Sequence, residues 1–180
     1  MKESSKAAIG GIVSALSVVI MLCTYISPLL VYTAPPFAGL LLILIVNELG
    51  YKWAAGTYVT ISILSIFVIA DKESAVFFTL LFGYYPILSL FLDNKMKIKP
   101  LRKILKLIIF NSACISSILM CMFVFNITYD DLFDGGFILA VIFALLLNIL
   151  FFSYDTLVSK MHILYKLKFQ KKFRKLFNIR

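Results

Sequence analysis

The sequence predicts an all-α integral membrane fold: six transmembrane helices, both chain ends on the cytoplasmic side, and a basic amphipathic C-terminal tail. Three observations carry that expectation. Of the 180 residues, 62% are hydrophobic and only 15% are charged. Soluble domains average about 45–50% and about 25%, so too few charges exist to coat a water-facing surface. The charges are also segregated. Neither Ala7 to Asn47 nor Trp53 to Ala70 holds an Asp, Glu, Lys, Arg or His, as a hydrocarbon solvent demands, because an ion at the bilayer centre is expensive. Finally, with six crossings and the N-terminus inside, 17 of the 18 basic residues fall on the inner side and Lys72 alone on the outer, which is the positive-inside pattern.

A hydrocarbon core of about 30 Å needs about 20 apolar residues in helix, and backbone amides in lipid must be satisfied within their own segment. Six stretches answer to this: 7–27, 36–49, 52–70, 74–93, 104–126 and 136–159. The first follows Lys2 and Lys6, is too long for a signal-peptide apolar region and has no A-x-A site after it, so it reads as a retained helix. The second is short, because Pro35-Pro36 breaks a helix just before Phe37; either it begins earlier, near Leu29, or it is a partly broken span. A five-helix arrangement would expose Lys2, Lys6 and Lys52 on the outside and leave Phe37 to Val46 without a bilayer. The inner connections hold Lys95, Lys97, Lys99, Arg102, Lys103 and Lys106, and the outer ones hold Asp71, Glu73, Asp130, Asp131 and Asp134. Residues 1–160 form one transmembrane domain and residues 161–180 the tail. The Ile-, Phe-, Lys- and Asn-rich composition suits an AT-rich bacterial genome.

On the first helix, Ala7, Gly11 and Ala15 recur at i, i+4 and i+8 and make a smooth stripe, widened by Gly10 and Ser14. Small residues let another helix backbone approach closely in lipid. Two uses are open: packing inside this bundle, or docking a partner from the cytoplasmic end. Length, helix count, orientation and this stripe together resemble the substrate-binding S component of energy-coupling factor (ECF) transporters. In that family an A-x-x-x-A-type motif on the first helix docks a transmembrane coupling subunit, and Ala7-Gly11-Ala15 matches it with Gly in the middle. The resemblance implies a cell-membrane protein that captures a vitamin or other small solute from outside, energised by separate ATPase subunits. It also implies a pocket in the outer loops and outer halves of the later helices. No vitamin-specific signature identifies the solute.

Residues for that pocket are named from their chemistry. Asp71, Lys72 and Glu73 crowd three charges into one outer turn, where Asp71 or Ser74 also suits a helix N-cap. Tyr32 and Pro35 lie in Leu30–Pro36, read as an aromatic, restricted outer loop fit for a lid or an interfacial anchor. Tyr84 and Tyr85 precede Pro86, which frees the carbonyl about one turn earlier; they offer rings and hydroxyls to a ligand or pack at a kink. Asn148 lies midway along the last helix and must face the bundle, beside another helix or a ligand; Asn111 and Asn126 are the other intramembrane amides.

Glu48 and Asp155 lie near the inner ends of their helices, where Lys52 or Lys160 is in reach; ion pairing is favoured over proton coupling. Residues 160–180 carry eight Lys/Arg, with Tyr165, Phe169, Phe173, Leu176 and Phe177 at helical spacing. The tail reads as an amphipathic helix on the anionic inner leaflet, not as a nucleic-acid binder. Cys23, Cys114 and Cys121 read as packing residues, and a single His leaves no zinc set. No G-x-x-x-x-G-K-[ST], H-E-x-x-H or G-x-S-x-G occurs, so neither ATP hydrolysis nor other catalysis is expected, and no cofactor. The rival class is a non-transporting scaffold resembling MreD-like cell-envelope morphogenesis proteins, which share the size and helix count.

Overall fold

The computed structural model describes residues 3–27, 29–125 and 136–176, and every regular element among them is helical. Lys2, Asn126, Asp130, Asp131, Asp134, Phe177 and Arg180 lie outside the described residues. Helix α1 spans Glu3–Leu22 and runs into a 3₁₀ turn, Cys23–Tyr25. Helices α2 (Leu29–Leu40) and α3 (Leu42–Glu48) form one rod broken at Leu41, and α4 spans Tyr51–Val68. Helix α5 (Lys72–Phe77), a π-helical turn (Phe78–Phe82) and α6 (Tyr85–Lys95) make the next rod. Helix α7 spans Lys99–Phe125 and α8 Gly136–Leu164; a second π turn, Tyr165–Phe169, joins α8 to α9, Gln170–Leu176.

Five of these rods are long and apolar enough to cross a membrane: Glu3–Tyr25, Leu29–Glu48, Lys72–Lys95, Lys99–Met120 and Ala144–Phe169. The sixth, α4, has 18 residues and reaches about 27 Å, but it opens on the polar turn Tyr51-Lys52-Trp53. Five to six such helices fit a membrane-embedded protein. Exposure points the same way. In the span Ala144–Phe169 only 17% of the most apolar window is buried, against 61% in Lys72–Lys95. Side chains such as Phe67 and Phe123 stand more than four-fifths exposed, which water would penalise and lipid does not.

The second span begins at Leu29, the earlier of the two expected starts. Leu30–Pro36 is therefore helix and not the loop expected from Pro35-Pro36. Those prolines stand inside α2, past its first turn, and remove the bonds that amides there would make to the carbonyls of Val31 and Tyr32, yet the break falls later, at Leu41. At its far end Gly50 takes φ 89° and donates to the Ile45 carbonyl at 3.1 Å, closing α3 with a left-handed residue that disfavours any side chain.

The core forms where the prolines release backbone. Pro86 cannot donate to the carbonyl of Phe82, and the Tyr154 hydroxyl donates to that oxygen instead, at 3.2 Å, while also lying 3.2 Å from the Pro36 carbonyl. Gly39 makes room for it: a Cβ there would stand 2.5 Å from the Phe82 oxygen and 2.8 Å from the Tyr154 hydroxyl. Gly83 is equally constrained, donating to the Phe78 carbonyl at 2.7 Å across the π turn, with a Cβ 2.7 Å from that same oxygen. Around this point Tyr85, Phe110, Phe151 and Tyr154 pack edge-on or tilted, with Phe110 and Phe151 centroids 4.7 Å apart.

Helices α7 and α8 run antiparallel in a register set by three successive pairs. Asn111 and Asn148 exchange amide bonds at 3.0 and 3.2 Å, Phe110 stacks on Phe151, and Lys106 meets Asp155 at 2.9 Å. Contacts also sort the connections into two ends of the bundle. The Ala70 amide donates to the Tyr25 hydroxyl at 3.2 Å, joining residues 23–27 and the 69–71 connection. Lys6 stands 5.9 Å over the Trp53 ring, joining the N-terminus to the 49–51 turn at the other.

Candidate functional site

Helix α1 turns two faces to different surroundings. Ile9, Gly10, Val13, Ser14 and Ser17 are buried against α4 and α2, with Thr57 Oγ1 3.2 Å from where a Gly10 Cβ would be and Ser17 donating to the Ala38 carbonyl at 3.4 Å. Ala7, Gly11 and Ala15 are exposed, and a Cβ on Gly11 would meet nothing within 4 Å. Of the two uses open for the stripe, packing within this bundle falls to Gly10 and Ser14, leaving Ala7, Gly11 and Ala15 uncovered. Beside them a shallow groove of about 460 Å³ continues onto α4 past Trp53, Gly56 and Thr60.

The residues expected to hold a solute do not converge. Tyr84 and Tyr85 diverge: the Tyr84 ring meets Tyr58 of α4 at 6.5 Å, whereas Tyr85 is fully buried among α7 and α8. The Tyr85 hydroxyl is engaged, donating to Asp155 at 2.7 Å, and the Asn148 amide is engaged by Asn111. Lys72 turns back to donate to the carbonyls of Ile66 and Ile69 at 2.7 and 3.0 Å, neutralising the exposed end of α4. Asp71 occupies the N-cap of α5 without a side-chain bond, and Ser74 is buried in the first turn. Pro35 is buried, while Tyr32 packs on Phe77 at 5.6 Å. Tyr32 lines an apolar groove of about 400 Å³ with Leu81, Phe82, Leu146, Leu150 and Ser153, between α2, the π turn and α8.

The most concentrated chemistry lies elsewhere, in a buried ionic network joining α6, α7 and α8. Lys106, its side chain 3% exposed, sits between two carboxylates, 2.8 Å from Asp93 and 2.9 Å from Asp155. Arg102 Nε adds a contact to Asp93 at 3.1 Å, and the Tyr85 and Ser89 hydroxyls donate to Asp155 at 2.7 and 3.1 Å. Two cations and two anions balance, and the short connection after Lys95 brings Asp93 against the first turns of α7. Asp155 is thus paired, but with Lys106 and not with Lys160, which is exposed.

Glu48 also has a different partner from the one expected. Its side chain is fully buried and accepts from Tyr165 at 3.2 Å and from Arg174 Nε at 3.0 Å, while Lys52 is exposed. The tail is helical as expected, but it continues from α8 through the π turn and is clipped to the end of α3. Asp93, the pairing of Lys106 with two carboxylates and the Tyr154–Gly39 contact escaped the sequence reading. Arg102 and Lys106, at i and i+4 beside an apolar run, are the one signal that α7 carries its cations inward.

Among the described residues no group of three or more His, Cys, Asp or Glu is placed to hold a metal ion. No family model matches this chain, and neither a curated protein nor a solved structure does so.

Proposed function

We propose that this chain is a membrane-embedded binding subunit of the S-component type, docking a transmembrane coupling subunit through Ala7, Gly11 and Ala15. It takes a vitamin or other small solute from outside, with energy from ATPase subunits that engage the coupling partner. The observation that carries this reading is the division of α1 into a covered face and an uncovered one, on which Ala7, Gly11 and Ala15 make a small-residue strip beside Ile12, Leu16 and Val19. A smooth strip left open to lipid gains by receiving another helix, because packing and not water expulsion drives association there.

Six crossings with both ends cytoplasmic belong to the same proposal. Its support is the sorting of the connections: Lys6, Lys52 and the basic 95–106 region gather at one end of the bundle, where the anionic cytoplasmic leaflet favours them. Tyr51, beside Lys52, donates to the Leu90 carbonyl at 3.2 Å, which ties the start of α4 to that end. The solute would sit in the apolar groove at Tyr32, Phe82, Leu150 and Ser153.

The test is co-purification with a coupling module. Wild type should carry the coupling subunit and ATPases, whereas Gly11→Leu should lose them while keeping its helical content, since space is open at that Cα. Equal recovery of the complex by both proteins would refute the docking role. One observation favours the scaffold class resembling MreD-like proteins: the Tyr85 hydroxyl and Asn148 amide are engaged by other side chains. A scaffold would use the same α1 face and bind no solute, so it predicts a stable envelope-protein partner and no retained small molecule in native mass spectrometry.

A further inference from the structure

Between α2 and α8 the groove at Tyr32 is longer than one cavity. A stretch of about 400 Å³ beside Phe77 and Leu81 continues into one of about 380 Å³ beside Phe37 and Leu40, and the two share Phe82, Leu150 and Ser153. Along α8 it follows Leu146, Leu150, Ser153 and Leu157, one face of the helix over about 17 Å. Tyr32 and Phe37 on one wall and Leu146 on the other are more than half exposed, so it opens sideways. No Asp, Glu, Lys, Arg or His lines it. The one carboxylate on α8, Asp155, is held by Lys106, Tyr85 and Ser89. Three hydroxyls at the groove have also committed their protons to the backbone. Thr33 donates to the Leu29 carbonyl at 3.3 Å, Ser153 to the Ile149 carbonyl at 3.1 Å and Tyr154 to the Phe82 carbonyl at 3.2 Å. What these oxygens still offer is lone pairs.

We infer that the solute taken by this groove is an elongated, uncharged lipophile carrying a hydroxyl or N–H donor. A charged group there would be desolvated with no opposite charge to meet it. The walls accept hydrocarbon over the length of a short isoprenoid chain, and the three oxygens accept a proton donor. A phospholipid acyl chain can line the same walls but brings no donor to those oxygens. Because the groove opens sideways between two lipid-facing helices, the solute reaches it through the membrane. The inference rests on this groove being the solute site and not on the docking face of α1.

Equilibrium binding of tritiated farnesol, a linear isoprenoid alcohol, to the full chain in nanodiscs tests it, with empty nanodiscs subtracted. Farnesol should saturate at one per chain. Farnesoic acid and farnesylamine at pH 8, the same chain bearing a charge, should compete at least about tenfold more weakly. Leu150→Trp, which fills the groove, should abolish saturable binding, whereas Ile115→Trp, at an exposed position of α7, should leave it intact. Ser153→Ala, which removes one acceptor, should weaken farnesol about fivefold. Uptake no greater than into empty nanodiscs would overturn the inference, the chain then meeting only bilayer lipid. So would equal competition by the charged analogues, or binding indifferent to both groove substitutions. Should Leu150→Trp fail to fold, Ser153→Ala and the charged analogues decide. Docking is read separately by co-purification, so a wrong solute class and a failed α1 interface give different results.

Discussion

Replacing Lys106 by Met removes the cation that two carboxylates share. Asp93 keeps Arg102 at 3.1 Å, but Asp155 retains only the Tyr85 and Ser89 hydroxyls against its charge. Removing one partner of a buried pair costs about 3–5 kcal/mol, because the remaining charge is left desolvated. The lysine side chain is 3% exposed, but Asp155 and Asp93 are 20% and 24% exposed, so partial hydration places the expected loss near the lower bound, about 3 kcal/mol. The assay is equilibrium unfolding in mixed micelles followed by far-UV circular dichroism. The partner change supplies the control: Asp155→Asn withdraws the stranded charge, so Lys106→Met/Asp155→Asn should recover about 1–2 kcal/mol relative to the sum of the single changes. A single-variant loss under about 1 kcal/mol, or strict additivity, would show that the network does not hold α6, α7 and α8 together and would refute the reasoning.

Further outcomes follow from individual contacts. Gly39→Ala should cost about 1–3 kcal/mol, since its Cβ would lie 2.5 Å from the Phe82 oxygen. Gly11→Ala, where the Cβ would meet nothing within 4 Å, should instead stabilise by about 0.5–1 kcal/mol through helix propensity, and thermal denaturation of the pair compares them. Asn111→Ala and Asn148→Ala should each destabilise, and a double-mutant cycle should return a coupling of about 0.6–1.7 kcal/mol from the reciprocal amide pair. Glu48→Gln weakens the clip to Arg174, so limited trypsinolysis at Lys166, Lys168 and Lys171 should speed up roughly fivefold, the effect of about 1 kcal/mol of local stability.

Much of the fold was legible because lipid imposes one-dimensional rules. Six helical stretches overlap the six expected ones, with α1, α2, α4 and α7 beginning four, seven, one and five residues earlier than the expected 7, 36, 52 and 104. Proline misled in one direction and informed in another. Pro35-Pro36 suggested a loop, yet α2 runs through both. Pro86 announced a freed carbonyl, and the structure has Tyr154 donating to the Phe82 oxygen. What remained hidden needed partners distant in sequence. Lys106 and Asp155 are 49 positions apart, and Glu48 and Arg174 are 126 apart; no helical period links such residues, so the nearer Lys160 and Lys52 drew the expectation. Gly39 gave no local sign either, because its constraint comes from a neighbouring oxygen. The α1 stripe was visible as a pattern, but which of its residues face outward depended on the packing of α4.

The docking claim meets its most direct test in site-specific photocrosslinking within native membranes, with a benzophenone side chain placed at position 11 or at position 10. The account predicts a crosslink from position 11 to a multi-spanning coupling subunit and, from position 10, only internal adducts to α4. Crosslinks to that subunit from neither position, or equally from both, would contradict it.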